Sequence, residues 1–242
     1  MDFSQISTYG ETTFISDKYF FETEFDLVDC FEQSINLKTF KNSFVAREFN
    51  AGFGIADTVI FEYSKKKLDK NLSLIDPEWA YTLRSLPYRK NFSIEDLCML
   101  AGVSKRLSSL AINSFIEAGF CKRVGRDKYI KEFQPKSFIK NTIAVEAKLK
   151  NWKRALYQAS RYKTFANQSW VLMDSYYSKP AVKNLDSFKR LSVGLASFST
   201  SGELIKHYAP PKQTHYSELS FWRASTMLSQ LLSDSFGSAK GL

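Results

Sequence analysis

Residues 143–149 read Ile143-Ala144-Val145-Glu146-Ala147-Lys148-Leu149. Side chains alternate between the two faces of a strand. Ile143, Val145, Ala147 and Leu149 then share an apolar face, while Ala144, Glu146 and Lys148 share the other. A carboxylate and an ammonium project the same way from a strand whose neighbours are apolar enough to be buried. Burying charge is costly unless it is paired or coordinates a metal. A second apolar stretch, Gly54-Ile55-Ala56-Asp57-Thr58-Val59-Ile60-Phe61, is interrupted by Asp57. Two readings fit that aspartate: a solvated position on an edge strand, or a metal-binding carboxylate.

Working outward, residues 44–49 and 55–63 read as strands joined by a glycine-containing turn at 50–54. Before them, Phe21, Phe25, Val28, Phe31 and Ile35 recur at three- and four-residue steps and predict an amphipathic helix over 21–36. After 143–149, a helix over 152–166 has Trp152, Ala155, Leu156, Ala159 and Tyr162 along one side. A strand at 170–173, a helix at 181–191, a hairpin of 193–198 and 203–208, and a last helix over 217–232 complete the pattern. Strands alternating with helices predict an α/β fold, a mixed sheet flanked by helices.

Residues 76–134 have a different rhythm. Asp76-Pro77 suits a helix start, Ser93 caps a helix over 94–101, Gly102 turns the chain, and Ser104 caps a helix running to Ala118. Gly119 ends that helix, and a small hairpin follows about Gly125-Arg126-Asp127. The stretch FSIEDLCMLAGVSKRLSSLAINSFIEAGF resembles the helix-turn-helix of winged-helix domains. That resemblance implies nucleic-acid contact by Lys105, Arg106, Ser108 and Ser109 at the start of the third helix, and by Lys122, Arg123, Arg126 and Lys128 on the wing. A winged helix used for protein contact would look the same. The expected division is 1–75 and 136–242 for the α/β core, with 76–135 inserted.

The chain has 242 residues and a net charge of +9. Residues 1–36 carry eight acids against one base, so the rest is more basic than the total suggests. A basic body favours a polyanionic partner, although many basic proteins bind none. Two histidines and three scattered cysteines leave little for a zinc site or for histidine-assisted nucleophiles. Chemistry must rest on carboxylates and lysines. No stretch is apolar enough for a membrane span, no leader is visible, and a reduced, cytoplasmic setting is expected.

Together, Asp57 on one apolar strand, Glu146-Ala147-Lys148 on the next, and the basic helix over 152–166 resemble the PD-(D/E)xK, or restriction-endonuclease-like, nuclease superfamily. Gln158 and Tyr162, one helical turn apart, resemble the Q-x-x-x-Y of its exonuclease-type members. Ala56 stands where the family often has proline, and the long separation of Asp57 from Glu146 fits only if 76–135 is an insertion.

The resemblance implies a nuclease core that holds Mg²⁺ or Mn²⁺ through Asp57, Glu146 and the Ala147 carbonyl, with Glu48 as a further acidic candidate. Lys148 would orient the attacking water or stabilise the charge that develops on phosphorus, with Gln158 beside it. Lys150, Lys153, Arg154, Arg161 and Tyr162 would hold the nucleic-acid backbone. DNA is the expected substrate, in a phage-defence, mobile-element or repair setting that could bring protein partners or a homodimer. The alternative is a winged-helix DNA-binding protein, or a complex subunit, whose nuclease-like core is inactive. The acidic stretch over 22–32 could dock a basic partner, cover the basic groove, or simply be solvated.

Overall fold

A computed structural model describes residues 3, 6–8, 19–36 and 42–238. Of the acidic N-terminal stretch, Asp2, Glu11 and Asp17 lie outside the described residues. The chain order is β1 (Ser7–Thr8), α1 (Glu24–Ser34), β2 (Ile35–Asn36), β3 (Ser43–Asn50) and β4 (Ile55–Tyr63). Then come three short 3-10 turns, α2 (Ala80–Ser85), β5 (Asn91–Phe92), α3 (Ile94–Ala101), α4 (Lys105–Glu117), β6 (Cys121–Gly125) and β7 (Lys128–Lys131). The remainder is β8 (Ile139–Lys148), α5 (Trp152–Arg161), β9 (Gln168–Asp174), α6 (Lys179–Val182), α7 (Leu185–Leu191), β10 (Gly194–Phe198), β11 (Leu204–Tyr208) and α8 (Glu218–Ser238).

The chain divides into two compact units, Met1–Tyr63 with Ile139–Ser217, and Ser64–Phe138 with Glu218–Leu242. The first is mixed α/β. Its six-stranded sheet has the order β11-β10-β9-β8-β4-β3. β8, β9 and β10 are parallel, and the outer pairings are antiparallel. The parallel links need crossovers, which α5 and the α6–α7 pair provide. On one face, Ile143, Val145 and Ala147 of β8 join Leu27, Val28 and Phe31 of α1 in the main core. On the other, Ala155, Leu156 and Ala159 of α5 are buried, and Phe49, Phe61 and Phe165 pack edge to face or tilted.

Helix α1 starts with a capping box in which Thr23 and Asp26 satisfy each other's amides. Of the expected stripe, Phe21, Val28, Phe31 and Ile35 are buried together with Leu27, while Phe25 faces outward, 64 % exposed, with the Arg47 guanidinium over its ring.

In the second unit, α2, α3 and α4 accompany a three-stranded sheet of order β5-β7-β6. Ser93 and Asp96 form a second capping box, and Gly102 takes the left-handed conformation at the α3–α4 turn. Helix α8, assigned from sequence to the α/β core, belongs here. Ser229 Oγ donates to the Asp69 carbonyl, Gln230 Nε2 to the Ile75 carbonyl, and Arg223 pairs with Glu78. Between β4 and α2, the lysine-rich stretch over 64–74 reads as a linker from sequence, yet it is largely folded into the 3-10 turns Lys65–Lys67 and Lys70–Leu74.

Candidate active site

The site lies in the α/β unit, where β4 and β8 part. Their last register pair is Thr58 with Val145. One residue beyond, the Ala147 N–H donates to Asp57 Oδ2 at 2.7 Å in place of a ladder bond. Strand alternation directs Glu146 toward the α5 face, where it is 1 % exposed. Lys148, at the strand's end, lies 3.0 Å from Glu146 Oε1 and 3.9 Å from Asp57 Oδ2. Its ammonium also donates to the Ala147 carbonyl and to Glu24 Oε2, both at 2.9 Å. Asp57, Glu146 and Lys148 thus converge.

Glu146 Oε1 is buried against the Lys148 ammonium. Its Oε2 is in hydrogen-bond contact with the Tyr162 hydroxyl, which lies 2.6 Å from the Ile55 carbonyl. A phenol has one proton, and an ionised carboxylate and a carbonyl are both acceptors. Protonating Glu146 removes that conflict: its O–H donates to Tyr162, and Tyr162 donates to Ile55. The electrostatics agree. Burial raises the Glu146 carboxyl above its usual range, and the Asp57 charge raises it further. Burial raises Asp57 too, outweighing the Ala147 N–H and Lys148. Burial would lower Lys148, but Glu24, Glu146 and Asp57 together hold it above its usual value.

Two carboxylates raised by burial and an adjacent carbonyl suit a hard divalent cation, which takes oxygen ligands and favours the ionised forms. Among the described residues, no three acidic, histidine or cysteine side chains cluster as a ready ligand set. The donor set is therefore the pair Asp57 and Glu146 with the Ala147 carbonyl.

Glu24 was missed as a site residue by the sequence reading, which counted it only among the acids of α1. Its position heads the stripe that continues through Leu27, Val28 and Phe31, and an acid there was the available signal. The other acids of α1 also face their own unit: Arg47 pairs with Asp29 and Glu32 at 3.0 and 2.8 Å, and Thr58 donates to Glu32 at 2.6 Å. Glu48 stands across from Asp57, exposed and in the left-handed region at φ +50°. It lines a small cleft of about 140 Å³ with Glu24 and Asp57.

Gln158 shares the α5 face of Tyr162, and its buried amide oxygen has no partner. Tyr162 itself is 1 % exposed. It cannot meet a nucleic-acid backbone from there, and its contacts make it a positioning group for Glu146. Lys150, Lys153, Arg154 and Arg161 are exposed on and beside α5; Lys150 stands over the Tyr177 ring at 4.3 Å.

In the helical unit, Arg106, Arg126 and Lys128 are exposed. Lys105 pairs with Glu95 at 2.6 Å, Lys122 pairs with Glu132, and Arg123 Nε donates to the Gly125 carbonyl. Ser108 is fully buried, because it lies on the inner side of α4 with Ala111, Ile112 and Phe115; it is not a surface contact. Leu107 and Leu110 are exposed on the same helix.

Comparison with family models, curated proteins and solved structures finds no match to this chain. No described helix is long and apolar enough to cross a membrane.

Proposed function

We propose that this chain is a metal-dependent nuclease of the PD-(D/E)xK, restriction-endonuclease-like kind, with the helical unit as an inserted winged-helix module. One observation carries the reading: Asp57 and Glu146, 89 positions apart in sequence, meet beside Lys148 where two core strands part. The order of elements supports it too, with the Asp on β4, the Glu-x-Lys on β8 and the tyrosine just beyond α5.

Asp57, Glu146 and the Ala147 carbonyl would hold Mg²⁺ or Mn²⁺. A cation held there neutralises phosphate charge and acidifies a bound water. The residues do the rest. Tyr162 fixes the Glu146 rotamer and donates to it once it is ionised. Lys148, kept cationic by three carboxylates, supplies charge where the phosphorus centre becomes more negative. The exposed bases of α5 offer phosphate contacts. DNA is the proposed substrate.

The test is incubation of purified protein with circular and linear DNA, single- and double-stranded, with Mg²⁺ or Mn²⁺. Cleavage that disappears in Lys148→Ala, while the thermal melt persists, is the expected result. Wild-type protein that cuts no form, or a Lys148→Ala variant that cuts equally well, removes the proposal. Metal-independent DNA binding would then point to a binding protein with an inactive core.

A further inference from the structure

The helical unit contains a groove of about 1010 Å³ that the nuclease reading does not use. Its charged lining is Lys66, Lys67, Lys70, Arg84 and Lys136 against a single acid, Asp69. That acid is engaged locally, since Asp69 Oδ1 accepts the Asn71 N–H at 3.0 Å as the cap of a 3-10 turn. The four lysines and Arg84 are exposed. Arg84 lies over the Trp222 ring at 5.7 Å, which presents its planar guanidinium along the groove wall.

Two exposed aromatic rings stand among these charges: Phe133, 63 % exposed, and Tyr88, 45 % exposed. A phenylalanine has no polar tip to hydrate, so its exposure gains nothing unless another apolar or π surface covers it. Two polar atoms of the lining are also unmatched. Gln134 donates through Nε2 to the Arg84 carbonyl, leaving Oε1 without a partner, and Ser137 Oγ has none either.

We propose that this groove binds single-stranded nucleic acid, with the lysines along the phosphates and Phe133 and Tyr88 stacked on bases. Cations spaced along a groove with exposed rings between them match a flexible polyanion whose bases are free. A duplex would use the charges but hides its base faces from the rings. Neither Lys105, Arg106 nor Lys128 lines this groove, so it is separate from the helix-turn-helix residues expected to contact nucleic acid. It also stands independently of the nuclease chemistry.

Fluorescence anisotropy in EDTA tests it with the full chain. The probes are labelled oligo-dT and oligo-rU of about 20 nucleotides, longer than one such site occupies, and a duplex of equal length. Both single strands should bind more tightly than the duplex. Combined Lys67→Glu, Lys70→Glu and Lys136→Glu should weaken them at least about tenfold and flatten the log K against log salt slope by about 2. Phe133→Ala, at an exposed site with an unchanged melt, should weaken the single strands about tenfold and leave the duplex unaffected. The relative affinities of oligo-dT and oligo-rU decide between DNA and RNA. A duplex bound as tightly as the single strands, an inert triple variant, or equal displacement by polyglutamate would overturn the proposal. Because metal is chelated throughout, loss of cleavage in the nuclease test leaves this result untouched, and the reverse holds.

Discussion

Asp57 accepts the backbone N–H of Ala147 across 90 residues of chain, and that bond stands where the β4–β8 ladder stops. The carboxylate therefore has two separable parts to play, as a neutral acceptor for an amide and as a charge. Asp57→Asn keeps an acceptor and removes the charge. Asp57→Ala removes both and leaves the N–H unmatched. Asp57→Asn should retain the wild-type urea midpoint and lose metal binding and cleavage. Asp57→Ala should lose these and also about 1–3 kcal/mol of stability. Calorimetric titration with Mn²⁺ beside a urea melt separates the two effects.

The Glu146–Tyr162 contact makes stability depend on pH. Burial and then Asp57 raise the folded-state pKa of Glu146. Between the unfolded value, about 4.3, and that raised value, the folded state binds more protons than the unfolded one. Its stability contribution is fully present below the unfolded pKa and falls as pH rises through the folded one. In EDTA, melting temperature should drop as pH is raised from about 4.5 toward neutrality, and Glu146→Gln should abolish that part of the slope. Mg²⁺ should stabilise most at the alkaline end, where both carboxylates are ionised. A Glu146→Gln variant with the wild-type slope would contradict the assignment.

Tyr162→Phe tests the same contact from the other side. The phenol helps hold the ionised carboxylate, acting against burial. Removing it should raise the Glu146 pKa further and move the pH midpoint of Mn²⁺ binding upward, with weaker binding at neutral pH. A merely structural tyrosine would lower the melting temperature without moving that midpoint.

Much of this site was legible because strand alternation is strict: a Glu-x-Lys on an apolar strand must place both charges on one face, and Asp57 had to interrupt a core strand. Helix α1 was less legible. Phe21, Val28, Phe31 and Ile35 of its expected stripe are buried, but Phe25, which matches the same spacing, is exposed, and Leu27 joins the buried face instead. Arg47 decides it by covering Phe25 and pairing with Asp29 and Glu32, a relation between helix and strand that no local pattern contains. Helix α8 followed β11 in sequence and was assigned with it; its partners Asp69, Ile75 and Glu78 lie far upstream. The 3-10 turns over 65–74 were hidden by a lysine run that reads as solvated linker.

Gly194 and Gly54 separate fold from site. An ideal Cβ on Gly194 would fall 2.2 Å from the buried Trp170 ring. The indole sits against Phe3 at 4.0 Å between ring centroids and has no room to withdraw. Gly194→Ala should therefore destabilise the α/β unit by about 3 kcal/mol or more, at the upper end for overpacking. Gly54 has φ +126°, and its Cβ would stand 3.3 Å from the Tyr162 ring. Gly54→Ala should disturb the Tyr162–Glu146 contact and weaken Mn²⁺ binding at neutral pH, as Tyr162→Phe does, with a smaller loss of stability than Gly194→Ala. Thermal melts and metal titration of both variants give the comparison.

Lys131 is fully buried in the helical unit, and its Nζ donates to the carbonyls of Leu83 and Arg84 at the end of α2. Burial, and then the Arg84 charge, lower its pKa to about 8. A neutral amine still has two N–H groups, one for each carbonyl, so deprotonation removes the buried charge and keeps both bonds. Between about 8 and the ordinary value near 10.4, the unfolded state binds more protons, and stability rises with pH. The helical unit should become more resistant to urea from pH 7 to pH 10, against the trend expected of Glu146 in the other unit. Lys131→Met should flatten that rise, because it has no proton to lose. It should also leave two carbonyls without their donor, so its deficit relative to wild type is larger at pH 10 than at pH 7. Hydrogen exchange resolved by segment, following α2 and β7 at the two pH values, reads this directly; a Lys131→Met deficit independent of pH would show that the ammonium stays charged in the fold.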